Sequence, residues 1–308
     1  MLAVVFGVLV GLVMPVQTSA NSRLRLSVGS PFLASLVSFA VGFLALLVAS
    51  LLIDGHLPHL TAAIPMPAWI WSGGVLGVVV LTGNIFLFPR LGSVQTVVLP
   101  ITGQVIMGLL IDHFGLFHAP VHRLDPTRVL GALLLVAGVL GAIGFIDTLL
   151  RRGAQVPVGS SSGLSLWGWR AAGVVFGMFS AAQTAINGQL GVAFGSAVGA
   201  ALVSFAFGVV TLLLINLALR NRPTPGSLAG PWWMWIGGFL GAMFVFGNAF
   251  LSPVIGTGLT VMTILLGLMT GSLLIDHFGL LGAHRKKVTL LQAVGLALMV
   301  AGVSLIRL

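Results

Sequence analysis

Apolar residues fill ten stretches of this chain, each near the length of a membrane-crossing helix, and Arg, Asp, Pro, Gly and Ser collect in the breaks between them. About 20 mostly apolar residues are needed to cross the hydrocarbon as a helix. The pattern predicts spans near 2–22, 31–53, 67–89, 93–112, 127–149, 168–190, 196–219, 232–252, 257–275 and 288–306. Trp69 and Trp71 open the third span and Trp233 and Trp235 the eighth, where an interfacial aromatic belt sits. Thr18-Ser19-Ala20 resembles a signal-peptide cleavage site. The first stretch lacks a basic leader, however, and has a copy mid-chain at 168–190, so it reads as a span.

The stretches repeat. Ile111-Asp112-His113-Phe114-Gly115-Leu116 returns unchanged as Ile275-Asp276-His277-Phe278-Gly279-Leu280, and sliding 83–116 onto 247–280 gives 17 identities in 34 positions. Asn84/Asn248, Pro89/Pro253, Gly92/Gly256 and Thr96/Thr260 are among them. At a shift of 166, Gln17-Thr18 meets Gln183-Thr184, Asn21 meets Asn187 and Ser38-Phe39 meets Ser204-Phe205. The chain therefore reads as two five-span units, 1–150 and 166–308, joined by a Gly/Ser-rich linker at 151–165. An odd number of spans per unit forces the second copy to enter the membrane upside down. Charge agrees with this: 11 Arg and Lys fall on the side of the loop after the first span, and 3 (Arg123, Arg128, Arg307) on the other. The positive-inside rule makes the first side cytoplasmic and puts both termini outside.

Only 6% of residues are charged and 58% are hydrophobic, against about 25% charged in soluble domains, so this is an integral membrane protein. The net charge of +9 would point to nucleic acid in a soluble protein. Here it belongs to short loops, and no nucleic-acid partner is expected. Cys and Tyr are absent, and the five acidic residues are all Asp, scattered along the chain. That leaves no catalytic acid cluster, and no phosphate loop or nucleophile elbow occurs. The expectation is a non-enzyme without cofactor, driven by a solute or ion gradient.

Gln17 and Asn21 are four apart, as are Gln183 and Asn187, so each pair shares one helix face. Asn84 and Asn248 add symmetric amides, and Gln95 and Gln104 unsymmetric ones. The candidate solute site is Gln17, Asn21, Asn84, Gln104, Gln183, Asn187 and Asn248, a lining suited to a neutral or zwitterionic polar solute. The alternative is that these amides tie helices together at about 1 kcal/mol each. Asp112-His113 and Asp276-His277 close the fourth and ninth spans. They read as matching gate latches or proton-exchange residues, or else as plain helix-end markers. His113, His118, His122 and Asp125 share one loop, but Pro120 interrupts the spacing and the second copy keeps only the first histidine, so no metal site is expected. Gly-x-x-x-Gly spacings, at Gly7/Gly11, Gly73/Gly77, Gly173/Gly177, Gly237/Gly241 and Gly267/Gly271, predict close helix approach. Pro15, Pro100 and Pro253 are candidate kinks.

The Gln-Thr-x-x-Asn pattern ending the first span, Ser-Phe-x-x-Gly in the second (Ser38-Phe39-Gly42; Ser204-Phe205-Gly208), Trp-x-Trp-x-Gly-Gly-x-x-Gly opening the third and Leu-Leu-Ile-Asp-His-Phe-Gly ending the fourth occur in both halves. Together they resemble the YdcZ-like family of the drug/metabolite transporter superfamily. The resemblance implies a small-molecule exporter of the inner membrane, similar to a fused pair of single-half members that associate antiparallel. It extends more distantly to the small multidrug resistance exporters, which carry a glutamate in their first helix. No carboxylate lies in 2–22 or 168–190, so their proton-for-cation mechanism is not implied.

The expectation is an all-α integral membrane protein of ten transmembrane helices in two inverted five-helix repeats, functional as a single chain. It exports a small polar or amphipathic metabolite across the inner (plasma) membrane by alternating access, with protons as a possible second partner. A lipid flippase or scrambler is the alternative, then a membrane enzyme.

Overall fold

The computed structural model describes residues 2–143, 163–222, 230–280 and 288–307, and among these it leaves out the side chains of 84, 85, 88, 89, 92–94, 163–165 and 307. The described residues are helical apart from short turns, with no strand among them. In chain order the helices are α1 (Leu2–Leu12), α2 (Met14–Val28), α3 (Pro31–Ile53), α4 (Gly73–Phe114), α5 (Pro126–Ala142), α6 (Gly163–Phe194), α7 (Ala197–Ala218), α8 (Ile236–Ile255), α9 (Thr257–Phe278) and α10 (Leu290–Arg307). Six described stretches are long and apolar enough to cross a membrane: Leu2–Val28, Pro31–Ile53, Gln95–Phe114, Ala197–Ala218, Trp232–Ile255 and Thr257–Phe278.

Local chemistry sets the ends. α1 and α2 form one rod interrupted at Val13, because Pro15 has no N–H to complete the ladder. The rod runs to Val28, past the predicted 22, and stops where Gly29 takes φ 75°. Ser30 and Ser196 cap α3 and α7, and Asp125 caps α5, each accepting from a backbone N–H of the first turn. Gly115 and Gly279, the shared glycines of the repeated hexapeptide, sit at φ 64° and 66° and end α4 and α9 by donating to Ile111 O and Ile275 O. The tryptophan-rich openings, Ala68–Trp71 and Trp232–Trp235, are 3-10 turns before the helices proper. α6 starts at Gly163, ahead of the predicted 168. The rest of the linker and residues 144–149 of the fifth span lie outside the described residues.

α4 is where the helix count differs from expectation. Helical backbone covers Gly73 to Phe114, 42 residues, as one element where the third and fourth spans were expected. Straight, that helix would be about 63 Å long and would separate Gly83 from Gly103 by about 30 Å. Yet a Cβ on Gly83 would meet the Phe176 ring, and one on Gly103 would meet Val174 O. Leu87 and Leu99 both reach the Cβ position of Gly173, at 3.5 and 3.0 Å. Arg90 lies over Trp169, and Arg170 bonds Gln95. Both legs therefore pack against the same stretch of α6, and the chain doubles back between Arg90 and Gln95. In the other half Gly256, at φ 82°, breaks α8 from α9 at the matching point.

Helix contacts recur with the roles of the two halves exchanged. Gly11 approaches Ile264 O and Gly177 approaches Pro100 O; Gly267 takes Val8 O and Gly103 takes Val174 O; Gly42 meets the Phe205 ring and Gly208 the Phe39 ring. Phe39 and Phe205 are repeat partners and meet each other, ring centroids 4.8 Å apart. Backbone-to-backbone approaches this tight exclude any side chain, so these glycines set the interhelical distance. Around them α1 packs on α9, α3 on α7 and α5 on α10. α9 is the central helix, buried almost continuously from Thr257 to Gly267.

Candidate functional site

The amide pairs lie against glycines. Asn21 Oδ1 sits where a Cβ on Gly237 would be, and Gln17 Nε2 is 2.6 Å from the Cβ position of Gly241. On the exchanged side, Asn187 Oδ1 occupies the Cβ position of Gly73, and Gln183 Nε2 is 2.7 Å from that of Gly77. The intervening glycines point the other way: Gly74 receives Ser204 O of α7 and Gly238 receives Ser38 O of α3. The Gly-Gly-x-x-Gly opening is therefore a ridge with two packed faces, one for amides and one for backbone. Gln17 Oε1, Asn21 Oδ1 and Asn187 Oδ1 are buried and accept no hydrogen bond among the described residues.

Asn248 behaves differently. Its Oδ1 accepts from Thr184 Oγ1 at 3.0 Å and its Nδ2 donates to Phe244 O at 2.9 Å, so it ties α6 to α8. The side chain of Asn84 lies outside the described residues. Gln104 is half-buried on the second leg of α4.

Asp112 is 1% exposed and reaches across the halves. Its Oδ1 accepts from Thr257 N at 2.7 Å and its Oδ2 from Gly258 N at 3.0 Å, placing a carboxylate on the N-terminus of α9. Arg128 Nη1 stands 4.0 Å from Oδ2, and His122 N donates to Asp112 O at 2.7 Å. An Asp at the end of its own helix opposes that helix's dipole, but this one completes the dipole of another helix. His113 Nδ1 accepts from Leu124 N at 2.9 Å, holding the following loop. His118 packs on Trp69 and Asp125 caps α5, so three of the four residues weighed as metal ligands, His113, His118 and Asp125, go to separate tasks. Among the described residues no three His or Asp gather as a metal would need. The residues that sequence alone did not single out here are Arg128, Thr257, Gly258 and Thr184. Only Thr184 carried a signal, as part of the repeated Gln-Thr.

Asp276, the repeat partner of Asp112, is exposed, and His277 is half-buried. The contrast extends along both ends. Thr184, Asn187 and Thr260 are buried, whereas their equivalents Thr18, Asn21 and Thr96 are exposed or half-buried. Equivalent residues of a duplicated unit face equivalent neighbours when both ends adopt one conformation. The structure is thus closed at the Asp112 end and looser at the Asp276 end.

Two cavities are apolar and avoid the amides. One of about 480 Å3 lies between α9 and α10, with His277 on its wall. Another of about 390 Å3 lies between α4 and α6, walled by Trp69, Met107, Phe117 and Phe179.

Comparison with known proteins adds three findings. A family model described as "Putative inner membrane exporter, YdcZ" matches residues 2–141 and, a second time, residues 168–305. A solved structure described as "Crystal structure of protein" shares the fold at a TM-score of 0.71, with 16% identity, over 99% of this chain and 94% of that one. No curated protein matches.

Proposed function

Because the chain belongs to the YdcZ family of inner-membrane exporters, a multi-pass transport family rather than an enzyme family, we propose that it exports a small polar or amphipathic metabolite by alternating access. In this reading it has ten spans in two inverted five-helix repeats, with both termini on the outer side. The reciprocal glycine contacts and the twice-matching family model support that arrangement.

The observation that carries the mechanism is the unequal closure of the two ends. Asp112 on the N-terminus of α9 is the outer gate in its shut position, clamped with Arg128. Asp276 is the matching inner gate in its released position. Exchanging the two positions would carry a solute from one side to the other past the amide pairs. Gln17, Asn21 and Asn187 hold buried acceptors that a donor-bearing solute can satisfy, and a buried acceptor left unpaired costs about 1–3 kcal/mol. Asn248, already paired with Thr184 and Phe244 O, serves as helix glue.

The reading is tested by screening the purified chain against polar metabolites for ligand-dependent thermal stabilisation, which grows with concentration over Kd. A polar hit that Asn21→Leu and Asn187→Leu weaken, with the fold retained, supports the amide pathway. Hits that both variants leave unchanged return the amides to packing, and hits confined to lipids replace export of a metabolite with lipid translocation.

A further inference from the structure

The two halves diverge sharply at one place. At the end of the molecule opposite Asp112, Arg90 lies 4.1 Å over the Trp169 ring and donates from Nη1 to Phe86 O at 3.0 Å. Beside it, Arg170 lies 4.9 Å over Trp167 and donates from Nε to Gln95 Oε1 at 3.0 Å. The repeat-equivalent positions hold Val254, Ala3, Val4, Met1 and Leu259. All five polar or aromatic members of the cluster are therefore apolar or small in the other copy, although the surrounding helices are duplicated.

Among the described residues neither arginine has a carboxylate partner. Stacking on tryptophan and the bonds to Phe86 O and Gln95 hold both guanidinium groups in place. A fixed planar fork of this kind matches the oxygens of a phosphate. Trp167 is 69% exposed and stands where indole rings anchor at the headgroup level, at the end the positive-inside rule assigns to the cytoplasm.

We propose that Arg90, Arg170, Trp167 and Trp169 form a binding site for the phosphate of an anionic phospholipid of the inner leaflet. The acyl chains would lie along the apolar outer faces of α4 and α6, and the site anchors the folded-back α4 against α6. Each basic residue near an anionic surface contributes roughly a fivefold gain in affinity.

The test is native mass spectrometry of the full chain released from detergent containing phosphatidylglycerol or phosphatidylcholine. The parent protein is expected to retain phosphatidylglycerol selectively, and R90Q/R170Q to lose roughly fivefold per arginine removed. R220Q/R222Q, on the same face but outside the cluster, should retain it fully. Circular dichroism checks that each variant is folded, and R90K/R170K, which keeps the charge without the planar fork, should recover only part of the retention. Equal retention by R90Q/R170Q and the parent overturns the proposal. So does an equal loss in R220Q/R222Q, which would reduce the effect to general surface charge. Displacement by inorganic phosphate without any preference between the two lipids would reassign the cluster to a free anion and overturn the lipid site.

Discussion

Asp112 gains its importance from what it touches. A carboxylate that accepts two backbone N–H groups at the start of a buried helix is worth about 1–2 kcal/mol, which corresponds to a five- to thirtyfold change in populations. Asp112→Ala should lower the thermal stability of the closed form by that amount, and Asp276→Ala, at an exposed site, should change it little. Equal losses in a melting comparison would contradict the distinction. Gly73 makes a second residue-scale case, since a Cβ there would coincide with Asn187 Oδ1. Gly73→Ala should cost about 1–3 kcal/mol by overpacking, and Asn187→Ala should relieve it. A double-mutant cycle with no coupling would show that the amide does not pack as described. Asp125 is pulled below the ordinary carboxylate range by the Thr127 hydroxyl and then by Arg128 N. Its charged form therefore supports α5 above the unfolded pKa, and that support fades as pH falls through the lowered one. Thr127→Val should make stability less dependent on pH across the acid range.

At the scale of elements, the doubling-back of α4 is the point most open to direct measurement. Val79 and Ile106 are both partly exposed, and the chain has no cysteine, so nitroxide labels can be placed at both without background. A straight helix would hold them about 40 Å apart. The reversal between Arg90 and Gln95 should bring the labels within roughly half that, since both legs lie on α6. A distance near the longer value would remove the paired third and fourth spans. Much of this level was legible beforehand. Every Gly-x-x-x-Gly pair singled out by spacing makes a close approach, to backbone at Gly11, Gly177, Gly267 and Gly271 and to side chains at Gly7, Gly73, Gly77, Gly173, Gly237 and Gly241. The Gly115 and Gly279 stops were readable from Asp-His-Phe-Gly alone. The partner of Asp112 was not legible: capping the helix that begins at Thr257 is a contact 145 residues away, and no local pattern encodes it. The amides were found by their repetition, but that they rest on Gly73, Gly77, Gly237 and Gly241 needed the packing.

For the whole molecule, duplication supplies an internal control, because each residue at one end has a counterpart at the other with the same intended neighbours. Burial of Thr184, Asn187 and Asp112 against exposure of Thr18 and Asp276 is then a statement about conformation. The central claim is that the two ends open and close in exchange, with Asp112 holding the outer one shut. The most direct test is reaction of Thr18→Cys and Thr184→Cys with a water-soluble maleimide, each with and without Asp112→Ala. In the parent chain the account predicts that position 18 reacts and position 184 is protected. With Asp112→Ala, labelling at 184 should rise about tenfold, within the population shift set by the lost cap, while labelling at 18 falls. A rise at both positions would mean general loosening, and no change at either would mean that Asp112 is a helix cap without a gating role; either result contradicts the account.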